Sequence, residues 1–251
     1  MTFPFPIEDL ARADADIPEA LLNAWTLAAT GSHLHACGPL KLAAREPRIG
    51  IVGTREPDEH SLAAVEALGA HLAEQSCVIV SGAARGTDMA AHRGALSAGG
   101  GTIAFPPCGL GALNFDAWRR DFRALRDPSL LLLLSPFPMM QSVTRQTPVI
   151  RNRFIAALSE VLVVGEGRMG SGTHHCLSFA RDFGTPIFFL RAGDEDAQLA
   201  AAQHSLERSG ARPFTAAEAL ESALPREIIA AAARRRREIQ ASQRAQLRLF
   251  E

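Results

Sequence analysis

Six short apolar segments recur between residues 48 and 190, and each is followed by a loop and a pattern typical of a helix. Runs of four to six residues rich in Val, Ile and Leu are typical of strands buried on both faces. Strands that alternate with helices predict a doubly wound parallel sheet, the Rossmann-like α/β class. The predicted strands lie at 49–53, 77–82, 102–106, 130–135, 160–165 and 186–190.

Helical extensions are predicted on both sides of this core. Residues 7–42 are mostly helical in pattern, with an apolar stripe formed by Ile17, Leu21, Leu22, Trp25 and Leu27. We therefore expect an N-terminal helical lead-in at 1–45 and a Rossmann-type domain at 46–224. Residues 225–251 are predicted to form a basic helix that leaves the core and ends in a short tail.

Composition narrows the class of protein. A hydrophobic content of 47% in 251 residues is enough for a sizeable core, and the leucine run at 130–134 is far too short for a membrane helix. The net charge of −1 is uneven, because arginines crowd the last twenty residues. The four cysteines have no CxxC spacing and the N-terminus is acidic rather than basic, so we expect a reduced, cytoplasmic protein.

The stretch 78–96 joins a strand to a helix through a glycine-containing turn. Thr87 or Asp88 is predicted to begin the helix, whose N-terminal amides favour an anion beyond the sheet edge. Arg85 lies in this turn, and Arg55 follows the first strand of the core. Both arginines are expected at the carboxyl edge of the sheet, where such folds bind ligands. The alternative is that each forms an ion pair with an acidic neighbour in the sequence.

The segment TPVIRNRF predicts another helix at this edge, with Thr147 as N-cap and Pro148 as first helical residue. Arg151 and Arg153 then lie in the first two turns, where cations oppose the helix dipole by about 0.3–1 kcal/mol each. A bound polyanion would explain their position. The alternative, that both pair with carboxylates, is weakened by the scarcity of acidic residues nearby in the sequence.

A glycine-rich turn at 170–173 precedes a further helix and is suited to an anion nest of backbone amides. His174, His175 and Cys176 resemble a metal cluster, but adjacent helical residues point about 100° apart, which favours helix surface and core. Neither a Walker A motif nor a GxGxxG after the first strand is present. We therefore predict no metal, no cofactor and no catalytic residue.

Several motifs, in order, resemble the DNA-processing protein A (DprA/Smf) family: IGIVGTREP, SGAARGTDMAAHRGAL, GGTIAFPPCGL, RNR followed by FIAALSEVLVV, and SGT. The resemblance covers roughly residues 35–192. It implies a non-catalytic dimer that binds single-stranded DNA in a basic pocket and assists loading of a RecA-type recombinase. The DNA ligands it implies are Arg55, Ser81, Gly82, Arg85, Gly86, Arg151, Asn152, Arg153, Gly170, Ser171, Gly172 and Thr173.

The sequence also departs from the family. SPFP at 135–138 replaces LSExP, and VVGEG replaces VVEA. The turn GSGT resembles that of LOG phosphoribohydrolases, although Cys176 occupies the position of their motif glutamate. A small nucleotide bound in the same pocket by an enzyme or sensor is therefore the alternative. Aromatic candidates for base stacking are few: Phe105, Phe115, Trp118 and Phe137.

The tail QLRLF resembles the pentapeptide by which bacterial replication and repair proteins dock on the DNA polymerase sliding clamp. Its specified positions are Gln246, Leu247, Leu249 and Phe250. The alternative is the end of an amphipathic helix that packs on the core. A third hypothesis makes the core a scaffold and the tail the functional element.

Overall fold

The computed structural model describes residues 6–11, 14, 16–28, 34–114, 127–167, 172–191 and 197–247. Within them, one nine-stranded sheet contains β1 Ile7–Leu10, β2 Leu34–Cys37, β3 Arg48–Val52, β4 Val78–Gly82, β5 Thr102–Phe105, β6 Leu131–Ser135, β7 Val161–Val164, β8 Ile187–Leu190 and β9 Arg212–Phe214. Their order across the sheet is β1-β2-β6-β5-β4-β3-β7-β8-β9. The strands from β4 to β6 are therefore added on one side of β3 and those from β7 to β9 on the other, so the order of strands reverses between β3 and β7.

The six predicted strands are confirmed as β3 to β8, and neighbours among them run parallel. Every residue of β3 to β8 is buried, as expected for strands covered on both faces. The predicted doubly wound α/β class is therefore confirmed.

Helices cover both faces of the sheet: α1 Glu19–Ala28, α2 Lys41–Ala44, α3 Glu59–Glu74, α4 Thr87–Ser97, α5 Thr147–Leu158, α6 Gly172–Asp182, α7 Ala197–Arg208, α8 Ala216–Ala219 and α9 Ala223–Leu247. One apolar core contains residues of α1, α5 and α6, and the other contains residues of α3, α4, α8 and α9. No helix in the described part of the chain is long and apolar enough to cross a membrane.

The N-terminal segment differs from the expectation of a mostly helical lead-in. The apolar stripe does form α1, with Leu21 and Trp25 buried, although Leu27 remains 48% exposed. The prediction is wrong for β1 and β2, which extend the sheet: β2 pairs antiparallel with β6, and β1 pairs antiparallel with β2. The segment that forms β2, Leu-His-Ala-Cys, is neither a continuous apolar run nor long enough to show a periodicity, so its pairing with β6 decides the outcome. The short strand β9 was likewise not predicted.

The basic helix α9 remains on the core for longer than its sequence pattern predicted. Leu224, Ile228 and Ala232 are buried against the sheet face, whereas the described side chains from residue 237 to 244 are exposed. Arg236 forms ion pairs with Glu46 and Glu160, which ties the middle of α9 to the amino ends of β3 and β7. The helix leaves the core only beyond this point.

Candidate functional site

A cleft of about 340 Å³ opens at the carboxyl ends of β3 and β4, beside the point where the chain reverses direction. Doubly wound sheets bind ligands at such positions. The lining comes from loops after strands and from the first turns of α4, α5 and α6. The lining residues are Val52, Gly53, Thr54, Arg55, Glu56, Ala84, Asp88, Pro148, Arg151, Asn152, Gly172 and Thr173.

Arg151 is the cationic group buried in this cleft. Its Nη2 donates to Asp88 Oδ2 at 3.1 Å, and its side chain is 6% exposed. Its Nε and Nη1 are buried without a hydrogen-bond partner among the described residues. Unsatisfied buried donors are costly, and a guanidinium N–H donates a strong hydrogen bond to a phosphate or carboxylate. Arg151 is therefore a candidate ligand for an anion that enters the cleft.

Two glycines are required by the geometry around Arg151. A methyl group at Gly82, the last residue of β4, would overlap the Arg151 guanidinium. Gly86 has φ +79°, and a side chain there would meet the carbonyl oxygens of Thr54 and Arg55. The predicted glycines of the SGAARG turn therefore permit close approach of an arginine and of the neighbouring loop.

The loop after β3 is tied to the elements on both sides. The Thr54 amide donates to the Glu166 carbonyl at 2.7 Å, and the Thr87 amide and hydroxyl both donate to the Thr54 carbonyl at 3.1 Å. These bonds fix the backbone that carries Arg55. The Arg55 side chain is exposed and lines the cleft, so its charge is available at the mouth.

The N-terminus of α6 forms another wall. Asn152 Nδ2 donates to the Gly172 carbonyl at 2.9 Å, and Thr173 is buried in the first turn. The Cys176 thiol lies one turn further and donates to the Asn152 carbonyl. The partial positive charge of this helix end adds to that of Arg151. Gly170 and Ser171, predicted for the same wall, lie outside the described residues.

A neutral histidine lies beneath the cleft. His92 is fully buried, with Nε2 at 2.6 Å from the Gly82 carbonyl and Nδ1 at 2.7 Å from the Thr102 hydroxyl. Burial lowers the pKa of His92 to about 4. The imidazole therefore fixes the end of β4 without adding charge near Arg151 at neutral pH.

The structure moves other predicted site residues away from the cleft. Ser81 is buried and donates to the Ile51 carbonyl, so it links β4 to β3. Arg153 lies on another face of α5, with its guanidinium 5.5 Å from the Phe179 ring and 6.0 Å from the Phe183 ring. Arg85 is exposed and does not line the cleft, and among the described residues it forms no ion pair. The arginine that pairs with Asp88 is Arg151.

Helix α4 begins at Thr87, as predicted, whereas the predicted start of α5 needs correction by one residue. Gly86 and Gln146 occupy the N-cap positions of α4 and α5, and neither makes a side-chain capping bond. Thr87 is a helical residue whose hydroxyl bonds across to the β3 loop. Thr147 is also helical, and its hydroxyl exchanges bonds with Thr144 in the preceding loop. In α5 the loop contact therefore uses the side chain that the sequence assigned to the cap.

None of the four aromatic residues proposed to stack on bases is found at the cleft among the described residues. Phe105 and Phe137 are buried and cannot stack on a base. Phe115 and Trp118 lie outside the described residues. The docking peptide is also untested, because Leu249 and Phe250 are outside the described part and the side chains of Gln246 and Leu247 are not described.

Sequence reasoning missed Asp88 and Thr54 as parts of the site. The sequence offers Asp88 as a helix start and as an acidic neighbour of Arg85, three residues away, whereas it pairs with Arg151 across 63 positions. The available signal was an aspartate in the first turn of a helix that the glycine turn directs toward the cleft. Thr54 contributes hydrogen bonds of its backbone amide and carbonyl, and no sequence pattern predicts such a role. In the described part of the chain, no group of three or more potential metal ligands is found.

Comparisons with known proteins identify the family of this chain. A family model described as DNA recombination-mediator protein A matches residues 9–225. Protein Smf of Synechocystis is 31% identical over 184 residues, which are 72% of this chain and 45% of that protein. The chain spans about half the length of the first curated relatives that it matches.

Two solved structures share the fold. DNA processing protein A from Streptococcus pneumoniae superposes with a TM-score of 0.72 at 29% identity, covering 86% of this chain and 73% of that one. The Helicobacter pylori protein, described for its single-stranded DNA binding mode, gives 0.73 at 25% identity, covering 89% and 98%. With the family match over most of its length, the chain belongs to the DNA recombination-mediator protein A family, also called DprA or Smf.

Proposed function

We propose that this protein binds single-stranded DNA and that the cleft holds its phosphate backbone without reading sequence. The observation that carries the proposal is the pair of unpartnered guanidinium nitrogens of Arg151, buried where the first turns of three helices meet. Arg55 at the mouth supplies a second, exposed charge. Phosphate contacts of this kind give an affinity that falls as the salt concentration rises.

The finer parts of the proposal follow from the family resemblance. The protein would act as a non-catalytic homodimer in the cytoplasm, in recombination, repair or natural transformation, and would help to load a RecA-type recombinase. Docking of residues 246–250 on a sliding clamp belongs to the same proposal. Deletion of residues 246–251 should abolish clamp capture in a pull-down with purified clamp, and unchanged capture would contradict docking.

The cleft is tested by Arg55→Gln, because Arg55 is exposed and its loss should leave the fold intact. We expect binding of a labelled single-stranded oligonucleotide at moderate salt to weaken about three- to tenfold, the loss of one phosphate contact. Arg208→Gln is the matched control, since Arg208 is also exposed but lies on α7, away from the cleft. Equal affinity of the two variants in a fluorescence anisotropy titration would contradict the assignment.

A small nucleotide is the second candidate, favoured by the volume of the cleft, which lies in the range of small-molecule sites. A thermal-shift comparison separates the two. Stabilisation by an oligonucleotide and none by mononucleotides supports DNA binding. Strong stabilisation by a mononucleotide alone would support the nucleotide instead.

A further inference from the structure

Helix α9 carries exposed arginines on the side that faces away from the core. Successive residues turn by about 100°, which places these arginines within about 80° of one another around the helix axis. The core-facing residues lie on the opposite side: Leu224, Ile228, Ala231 and Ala232. We call the exposed set the arginine stripe, and its members are Arg226, Arg234, Arg237 and Arg244.

The stripe is an isolated concentration of positive charge. Between residues 223 and 247 there are six arginines and two glutamates, a net charge of +4, so the rest of the chain carries −5. Both glutamates are engaged off the stripe: Glu227 pairs with Arg212 and Glu238 with Arg235. Among the described residues, no carboxylate forms an ion pair with a stripe arginine.

The other two arginines of α9 serve the fold. Arg235 donates to the Phe183 carbonyl, and Arg236 pairs with Glu46 and Glu160. These contacts hold α9 rigidly at the amino edge of the sheet, opposite the carboxyl edge that carries the cleft. The stripe is therefore a separate surface, and a ligand bound there would not compete with one in the cleft.

The chemistry of the stripe favours a rigid polyanion. Its members span 18 residues of helix, about 27 Å, with alanines and no aromatic side chain between them on that face. A membrane-surface helix needs an exposed apolar face, whereas the apolar face of α9 is packed on the core. Duplex DNA presents fixed rows of phosphates, which a straight row of cations on a helix matches better than it matches a flexible single strand.

We propose that the arginine stripe binds the phosphate backbone of duplex DNA. The protein then has two nucleic-acid surfaces on opposite edges of its sheet, and a single strand in the cleft can be held while duplex DNA lies along α9. Binding of duplex DNA to the stripe does not depend on the cleft, so the two proposals can be tested separately.

The test compares two double variants with the same loss of charge. Arg234→Gln with Arg237→Gln removes the centre of the stripe, and Arg181→Gln with Arg208→Gln removes two exposed arginines elsewhere. For a blunt duplex of about 20 base pairs, we expect the stripe variant to bind at least about tenfold more weakly, with a salt slope smaller by about 2. The control variant should bind within about twofold of the unaltered protein.

Other results would overturn the proposal. They are failure of the unaltered protein to bind the duplex, equal losses in both double variants, or an equal loss of single-strand binding by the stripe variant. Binding to phosphatidylglycerol vesicles that shows the same dependence on Arg234 and Arg237, and exceeds binding to the duplex, would assign the stripe to membranes. Circular dichroism confirms that both variants are folded.

Discussion

Two buried arginines lie at opposite edges of the sheet and have opposite surroundings. Arg48, 6% exposed, donates from Nε to the Leu158 carbonyl and from Nη1 to the Ala43 and Arg45 carbonyls, and its Nη2 pairs with Glu160 at 2.7 Å. Arg151, 5% exposed, has one carboxylate partner, Asp88, and two nitrogens without any among the described residues. The two arginines are therefore about equally buried, but the nitrogens of Arg48 are all hydrogen-bonded and two nitrogens of Arg151 are not.

The difference distinguishes a structural arginine from the arginine that we propose to bind an anion. A buried charge with every donor satisfied holds neighbouring elements together, and here it joins β3, β7 and, through Arg236, α9. A buried charge with donors left over lowers its free energy when an anion arrives. Burial alone does not distinguish the two arginines; Arg151 differs in having two unsatisfied nitrogens and in lining the cleft.

The largest expected effect is on stability at the amino edge. Arg48→Met leaves the buried Glu160 carboxylate without its main partner, which should lower the free energy of unfolding by about 3–5 kcal/mol. Urea denaturation measures this change. Arg45→Met is the control, because Arg45 is exposed beside it and should alter stability by less than about 0.5 kcal/mol. A loss below about 1 kcal/mol for Arg48→Met would show that Arg48 does not hold this edge together.

Acidic pH should lower the stability of the protein by protonating His92, which is bonded to the end of β4. The pKa of His92 is about 4 in the folded protein and about 6.5 when unfolded, so between these values the unfolded chain binds more protons. Stability should therefore decrease as the pH falls from about 6.5 to 4, by at most roughly 3 kcal/mol. In His92→Gln this part of the slope should vanish. Identical pH slopes for the two proteins in urea titrations would contradict the burial of a neutral His92.

A smaller effect is expected from Gly82→Ala, because the added methyl group must displace the Arg151 guanidinium. We expect single-strand affinity to fall about tenfold. Gly172→Ala is the control in the same cleft, since nothing lies within 4 Å of a methyl group there, and it should stay within about threefold. If the two variants bind alike, the position of Arg151 over Gly82 is not what matters for binding.

The smallest effect is expected at Arg153, which lies over Phe179 and Phe183. Arg153→Leu should cost about 0.5–1 kcal/mol of stability through the lost cation–π contacts and change single-strand affinity by less than about twofold. Anisotropy titration measures the change in affinity, and urea denaturation measures the change in stability. A tenfold loss of affinity would restore the sequence-based assignment of Arg153 to the DNA site.

Arg151 and Arg153 show how much of the candidate site can be predicted from the sequence. Positions two apart on a helix point about 200° apart, so one wall can use only one of them, and helical geometry alone would have separated them. The choice of Arg151 depends on Asp88, which is distant in sequence. The parallel core was predictable because its strands are continuous apolar runs, whereas β1, β2 and β9 are interrupted by charged residues, histidine or proline.

The central claim is that Arg151 binds the anion while Asp88 only balances its charge. The most direct measurement is the affinity of Arg151→Met combined with Asp88→Asn for a labelled single-stranded oligonucleotide, because removing both charges leaves neither buried and unpaired. The account predicts binding at least about tenfold weaker, with the free energy of unfolding within about 2 kcal/mol of the unaltered protein. An affinity within about twofold of the unaltered protein would contradict it.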